Sequence, residues 1–198
     1  PVGGAVFAAH SAARYGRAKG LSFDMGGTTA KICLIKNQTP ETSRVCEVAR
    51  TYRFKKGSGM PSSIPVIDMV ESGAGGGSLG SVDAMRQIRV GPESAGSEPG
   101  PACYGRGVMR PAVTDADLVL GKLDPDNFAG GTIKLDTPAA KAALQSVLGD
   151  VLDMDAATSA FGLAEVVDEN MANAARVHGV ENGEDLSEYT MIAFGGAA

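Results

Sequence analysis

From Leu21 to Lys36 the chain reads LSFDMGGTTAKICLIK: a short apolar segment, a turn, and a second apolar segment. That order predicts a β-hairpin, with Leu21–Phe23 against Lys31–Lys36 and Gly26–Thr29 as the tight turn. The turn is also the sharpest candidate for chemistry. Glycines at 26 and 27 let backbone N–H groups approach phosphate oxygens with no Cβ in the way. Thr28 and Thr29 add hydroxyl donors. Asp24, at the end of the first strand, is an anion and cannot itself attract phosphate. It makes sense beside a divalent cation held largely through waters, as Mg²⁺ prefers. A plainer reading is an ordinary hairpin turn whose aspartate satisfies turn amides, although Asp-x-Gly-Gly-Thr is more specific than a lone Gly-Gly.

Around this hairpin the sequence organises into strands and loops, then helices. Pro1–Gly16 reads as a glycine-containing turn running into a helix, with Val6, Phe7 and Ala13 as packing residues. Val45–Phe54 alternates partly and suggests a strand, Lys55–Pro65 a loop, Val66–Val70 a strand, and Ser81–Val90 a further hairpin. Gly91–Pro111 is a long stretch dense in Gly, Pro and Ser, of the kind that is usually functional when ordered. Thr137 followed by Pro138 predicts a helix start, capped by the threonine and running to Gly149. Asp155 is the next candidate cap. From it Ala160, Leu163, Val167, Met171 and Ala174 recur on one helical face, with an end near Gly179. Glu181–Glu188 reads as a polar loop and Tyr189–Phe194 as a last strand running into GGAA. No repeat of roughly 20–50 residues is present. The chain has no initiator Met and stops just after that Gly pair, so both ends read as cut.

Composition narrows the functional classes. At 43% hydrophobic and 21% charged residues over 198 positions, the chain is globular rather than disordered. The net charge is −5 and no Lys/Arg cluster stands out, which gives no electrostatic case for nucleic acid or an anionic membrane. No apolar run reaches the ~18 residues of a membrane helix. The three cysteines, Cys33, Cys46 and Cys103, stand far apart and outside CxxC spacing, so a reducing cytoplasm is the simplest setting.

Several other segments are candidates for a site. FGGAA at Phe194–Ala198 is a second nucleotide-type loop or a plain strand-to-helix turn. GAGGGSLG at Gly73–Gly80 holds five glycines in eight residues. It reads as a linker, a phosphate nest or a close backbone crossing, and lacks the Gly-Lys-Ser/Thr ending of a Walker A loop. In VGPESAGSEPGPACYG, Glu93, Glu98 and Cys103 are possible site residues, with a structural thiol the favoured reading of Cys103. Asp115 and Asp117 are helix caps or site carboxylates, the capping role ahead. His10 and His178 fit no metal-site spacing.

Taken in order, FDMGGTTAKICLI, GAGGGSLGSVDAM, VGPESAGSEPGPACYGRG, AVTDADLVLGKLDP, FAGG and AFGGAA resemble the hydantoinase A/5-oxoprolinase family, which includes the beta subunits of acetone and acetophenone carboxylases. The opening PVGGAVFAA is similar to that family's segment before the strand, so the resemblance covers nearly the whole chain. Val90–Gly105 is its most specific part.

The resemblance implies an α/β actin-like ATPase fold: two ribonuclease-H-like lobes with ATP in the cleft, two phosphate loops and an adenosine loop. Residues 1–198 then form an incomplete lobe, with β-hairpins, Gly-rich loops and two C-terminal helices, running from the second phosphate loop to the start of the adenosine loop. The N-terminal lobe lies outside it. FDMGGTT is similar to the second phosphate loop, so Asp24, Gly26, Gly27 and Thr28 carry over as phosphate and Mg²⁺ contacts, joined by the Thr29 hydroxyl. Gly195, Gly196 and Ala197 look like the start of the adenosine loop. The chain departs from the family pattern at Lys31, where many members carry an acid, at Val108, Met109 and Ala112, and at Ala198, where Gly and Pro usually follow GGA.

The implied chemistry is ATP-dependent. A cyclic amide carbonyl is phosphorylated and the ring opened, as in hydantoinases (N-methylhydantoinase among them) and 5-oxoprolinases, or a ketone is carboxylated, with a hydantoinase B-type subunit or domain as partner. Two other readings stand beside it: a sugar-kinase-like enzyme, disfavoured by Val90–Gly105, and a non-catalytic actin-like nucleotide-binding module.

Overall fold

A computed structural model describes residues 2–49, 51–52 and 57–197. The chain opens on helix α1 (Val2–Arg14), which packs through Ala5, Ala8, Ala9 and Ala12. This is a stripe of small residues at three- and four-residue steps. It differs from the expected packing on Val6 and Phe7, both of which are 55% exposed. The alanines let the helix come close to the sheet: a Cβ on Gly20 would lie only 3.5 Å from the Cβ of Ala12. Phe7 instead meets Phe194 edge-on, at 5.7 Å between ring centroids.

Strands β1 (Lys19–Met25) and β2 (Ala30–Lys36) form the predicted hairpin, antiparallel from Lys19↔Lys36 to Met25↔Ala30, with Gly26–Thr29 as its turn. Two-residue β3 (Thr39–Pro40) pairs with the far end of β2. Next come β4 (Thr42–Ser43), β5 (Cys46–Val48), β6 (Met60–Ser62) and β7 (Val66–Ile67), which pair as β4 with β7 and β5 with β6. The strand expected over Val45–Phe54 is thus three residues long, and its positions 50 and 53–54 lie outside the described residues, as do 55–56 of the expected loop, Pro1 and Ala198. Strand β8 (Met69–Ser72) lies along β2, and β9 (Ser78–Val82) with β10 (Ile88–Ser94) makes the second hairpin.

Helix α2 (Val113–Val119) follows the long loop. Helix α3 (Thr137–Leu144) begins one residue earlier than expected. Asp136 is its cap, taking the Ala139 amide at 2.9 Å, while Pro138 sits inside the first turn. Gly149 does not stop the chain there: a wide turn carries it into the short α4 (Asp150–Leu152). Asp155 caps α5 (Ala156–Glu181) through the Thr158 amide at 2.7 Å, and the predicted apolar face from Ala160 to Ala174 is buried. Strand β11 (Thr190–Phe194) then adds in parallel to β1, giving the order β11-β1-β2 with β3 and β8 sharing the far side of β2.

The two faces of the sheet are covered differently. Ile35 and Ile192 meet the alanines of α1, whereas Leu21, Ile32 and Leu34 meet Ala174 and Ala175 of α5. Asp24, being even-numbered on β1, falls on the α1 face, since side chains alternate along a strand.

The open end of the β1–β2 hairpin is clamped by Glu184, from the segment expected to be no more than a polar loop. Its carboxylate takes Lys36 at 2.8 Å, Lys19 at 3.1 Å and the Tyr189 hydroxyl at 2.8 Å. Hydrogen bonds from Lys36, Tyr189 and Lys19 hold its carboxyl down at about 2. An unfolded glutamate titrates near pH 4.3. The clamp therefore stabilises the fold above about that pH and is lost as pH falls towards 2. We expect Glu184→Gln to lower the melting temperature at pH 7, and the gap from wild type to close as pH is lowered from about 4.5 towards 2 in a thermal-denaturation series. A gap independent of pH would show that the carboxylate charge is not what the clamp uses.

Candidate functional site

The Gly26–Thr29 turn is held from below by glycine backbone. The carbonyl oxygens of Gly26 and Gly27 accept the amides of Gly76 and Gly77 at 3.0 and 2.6 Å. There is no room for a side chain at this contact: a Cβ on Gly75 would run into the Gly26 carbonyl and stand 2.8 Å from the Thr29 nitrogen. Of the three readings of Gly73–Gly80, the close backbone crossing is the one the structure shows, and the need for close approach explains the glycine run.

With those carbonyls turned inward, the other side of the turn faces out. Gly27 and Thr28 are exposed, and their amides donate to no group among the described residues. A Cβ on Gly27 would meet nothing within 4 Å, so this glycine borders open space. Asp24 stands beside the turn on the α1 face, half-buried, with no hydrogen-bond or ion-pair partner among the described residues. Gly4 leaves room there, since a Cβ on it would lie 3.2 Å from a carboxylate oxygen of Asp24.

Thr29 has a partner of its own. Its hydroxyl receives Lys31 Nζ at 2.6 Å, and Lys31 pairs with Glu71 at 3.2 Å. Asp24, Lys31 and Glu71 are direct cross-strand partners on β1, β2 and β8. The lysine thus turns away from Asp24 towards Glu71, and takes the Thr29 hydroxyl with it. A hydrogen bond from Thr29 and the charge of Lys31 hold the Glu71 carboxyl down against the opposing effect of burial.

The second predicted loop comes to the same place. Ala197 donates its amide to the Met25 carbonyl at 3.1 Å. Gly195 has φ +120°, and a Cβ there would collide with the Met25 backbone, whereas Gly196 has nothing within 4 Å. All eight predicted positions, Asp24, Gly26, Gly27, Thr28, Thr29, Gly195, Gly196 and Ala197, therefore lie around one end of the β11-β1-β2 sheet.

Two further segments are tied in through residues that the sequence did not single out. Thr114 of α2 bonds the Gly76 carbonyl through both its amide and its hydroxyl at 2.8 Å, and the Ala95 amide takes the Gly77 carbonyl at 2.8 Å. Nothing in the local sequence marks Thr114. Its partner is a backbone oxygen 38 positions away, visible only once the chain is folded.

The remaining candidates divide. Asp115 is fully buried and accepts the amides of Ala102, Cys103 and Ala112 at 3.1, 2.7 and 2.7 Å. It is the anchor of the long loop and the start of α2, as the capping reading expected. Cys103 is fully buried and burial pushes its thiol well up, which fits a structural thiol. Glu93 pairs with Arg110 at 2.8 Å on the surface. Asp117 points elsewhere, into a 340 Å³ cavity bordered by Met25, Thr114, Gly196 and Ala197.

The turn suits phosphate: it offers two exposed amides with no partner among the described residues and a glycine bordering open space, whereas the Asp24 carboxylate alongside would need a cation between it and the phosphate. For a cation, the described residues bring together no group of three or more His, Cys, Asp or Glu side chains. Asp24 would be its single carboxylate, which suits an ion such as Mg²⁺ that keeps waters and takes phosphate oxygens. Among the described residues no helix is long and apolar enough to cross a membrane.

Comparison with known proteins bears on the fold and the family. The chain is 40% identical over 200 residues to an uncharacterized protein of Methanocaldococcus jannaschii, matching all of this chain and 29% of that one. It is 36% identical over 178 residues to the caprolactamase subunit alpha of Pseudomonas jessenii, covering 90% of this chain and 24% of the subunit. The crystal structure of ATP-dependent caprolactamase from that organism superposes with a TM-score of 0.79 at 32% identity, over 96% of this chain and 27% of that one. The nucleotide-free structure of acetone carboxylase, an ATP-dependent system, superposes with a TM-score of 0.85 at 28% identity, over 98% of this chain and 26% of that one. The fold is therefore the α/β lobe of the actin-like ATPase type. The chain spans less than a third of the length of each of these relatives. The family model described as Hydantoinase/oxoprolinase matches residues 1–198, and the chain belongs to that family.

Proposed function

We propose that residues 1–198 are the nucleotide-binding part of an ATP-dependent amidohydrolase subunit that activates a cyclic amide for ring opening. The single observation that carries this is the meeting of the Gly26–Thr29 turn, with Asp24 beside it, and Gly195–Ala197 across the Met25 carbonyl. In this reading the exposed amides of Gly27 and Thr28 hold phosphate oxygens, Asp24 holds Mg²⁺ through water, and Gly195–Ala197 border the adenosine. The Thr29 hydroxyl, engaged by Lys31, serves the loop's shape. ATP would supply the phosphoryl group that, placed on the amide oxygen with release of ADP, opens the ring carbon to attack by water, so that the ring C–N bond breaks and loss of phosphate leaves a carboxylate. What the protein's residues contribute is positioning and charge neutralisation. A lobe preceding this chain and a hydantoinase B-type partner complete the enzyme, and the cytoplasm is its setting.

A second reading has an observation of its own. The 0.85 TM-score to acetone carboxylase favours a ketone carboxylase component. The two are separated by phosphate release from ATP, measured on the full-length protein with its neighbouring subunit, against hydantoin, 5-oxoproline, caprolactam and acetone, with and without bicarbonate. Stimulation by a cyclic amide is the expected result. Stimulation only by acetone, or by acetone with bicarbonate, would replace the hydrolase by the carboxylase. No stimulation by any of them would favour a non-catalytic nucleotide-binding module.

A further inference from the structure

Beside the Gly26–Thr29 turn a row of charges crosses the sheet. Asp24, Lys31 and Glu71 are direct partners on β1, β2 and β8. Their side chains therefore share one face, that of α1. Directly opposed residues have Cβ atoms roughly 4.5–5.5 Å apart, and the flexible lysine stem spans that distance. Lys31 can thus reach the carboxylate on either side of it. The structure shows it taking one of the two. Its Nζ stands 3.2 Å from Glu71 Oε1 and 2.6 Å from Thr29 Oγ1. Asp24 leans the other way: a Cβ placed on Gly4 would lie 3.2 Å from its carboxylate oxygen and against the Phe194 ring of β11.

Glu71 is what decides between them. Burial pushes its carboxyl up, but hydrogen bonds from Thr29 and Lys31 and the charge of Lys31 outweigh burial and hold it low, so it is ionised and meets the lysine with a full charge. It is two strands from Asp24, roughly 9–10 Å across the sheet, too far for the two carboxylates to ligate one Mg²⁺ ion at its short bond lengths. Its effect falls on the lysine. With the Glu71 charge removed, Lys31 would be left with the neutral Thr29 hydroxyl on one side and the negative Asp24 one strand away on the other. Coulomb attraction then draws the ammonium to Asp24. There it would compete with a cation for the same carboxylate. A lysine at position 31 is harmful to a cation site at Asp24 unless something else takes it, and Glu71 takes it.

Resting on the reading of Asp24 as the cation's one carboxylate, we infer that Glu71 is a positioning residue for the site: it holds Lys31 on the β8 side and so keeps Asp24 open for the cation that accompanies ATP. The Thr29 hydroxyl is the second half of that hold, and it ties the parked lysine to the phosphate turn itself. The pair contributes little to the fold. The Lys31 and Glu71 side chains are 26% and 55% exposed, and ion pairs with that much contact with water add little to stability. The consequence of breaking it is therefore expected at Asp24 and not in the melting temperature.

The test is calorimetric titration of the full-length protein with ATP over a series of Mg²⁺ concentrations, read as the Mg²⁺ concentration that half-maximally tightens ATP binding. Glu71→Gln keeps the shape and removes the charge. It should raise that concentration about fivefold with little change in melting temperature. Lys31→Met should stay near the wild-type value. The double variant Lys31→Met/Glu71→Gln should return to it, because without the lysine nothing competes for Asp24. A crystal structure of Glu71→Gln should show Lys31 Nζ within ~4 Å of the Asp24 carboxylate. An unchanged Mg²⁺ requirement in Glu71→Gln would overturn the assignment. So would a requirement that stays raised in the double variant, which would make Glu71 act on the cation without the lysine. Weaker ATP binding by Lys31→Met at saturating Mg²⁺ would also overturn it, by making the lysine a phosphate contact. ATP binding that ignores Mg²⁺ in wild type, or an Mg²⁺ dependence unaltered in Asp24→Ala, would instead remove the reading of Asp24 on which the inference rests, and the inference with it.

Discussion

In the full-length protein, Asp24→Ala is expected to lower ATP turnover by about a hundredfold or more while the fold stays intact. The size follows from what the carboxylate would do. If Asp24 is the one protein carboxylate for the cation, its removal leaves phosphate charge without a fixed partner at the moment it must be neutralised. The lack of a fold effect follows from its surroundings. Asp24 is half-buried and makes no hydrogen bond or ion pair among the described residues, so truncation orphans no donor. A change in stability within about 0.5 kcal/mol is expected. Asp24→Asn keeps the shape and removes the charge, and should shift the Mg²⁺ dependence of turnover to higher concentration. The measurement is phosphate release as a function of Mg²⁺, alongside a melting curve. Turnover at the wild-type level in Asp24→Ala would remove the aspartate from the site.

The contrast between Asp24 and Lys31 shows where sequence alone stops. Both were visible as charges flanking the Gly-Gly turn, and the hairpin register puts them directly opposite. On that basis an ion pair between them would be a natural guess, and it would have neutralised Asp24. The distances show that Lys31 pairs with Glu71 instead. Glu71, 40 positions after Lys31, comes from a strand on the other side of β2. Which of two flanking carboxylates takes a lysine depends on sheet order, and sheet order is not written in local sequence.

Local signals were legible where a local cause sets the structure. The hairpin, the cap at Asp155 and the apolar face of α5 each follow from side-chain alternation, capping chemistry or helical spacing within a few residues. The packing of α1 did not, because size misled. Large apolar side chains suggested a buried face on Val6 and Phe7, whereas a helix lying close to a sheet buries its smallest residues. Glu184 was hidden for the opposite reason. A carboxylate in a polar loop carries no sign that two lysines and a tyrosine will converge on it. The glycine run at Gly73–Gly80 was conspicuous, but its partner could be found only in three dimensions.

That run yields the prediction that best separates scaffold from site. The two Gly-Gly turns of the site each end on an open glycine, and in the second the other glycine is tightly confined. Gly195 is pressed against Met25 while Gly196 borders space, and Gly26 closes the turn onto Thr29 while Gly27 borders space. Gly75 supplies the tightest support beneath Gly26. Gly75→Ala places a methyl group against the backbone of the Gly26–Thr29 turn, which no side-chain rearrangement relieves. We expect a loss of roughly 3 kcal/mol, at the upper end for overpacking. For a domain of this size that is a fall of roughly 6–12 °C in melting temperature. Gly27→Ala should behave oppositely. Its Cβ meets nothing, so the melting temperature should hold. Yet the new methyl stands on the face where phosphate is proposed to lie, and ATP affinity should drop by about tenfold or more. Melting curves and ATP titrations on the two variants give four numbers. If Gly27→Ala melts early, the turn is scaffold rather than site. If Gly27→Ala leaves ATP affinity untouched, the phosphate lies elsewhere. The expected pattern, stability lost only at Gly75 and affinity lost at Gly27 without destabilisation, would tie the exposed amides to the ligand and the buried glycines to the support beneath them.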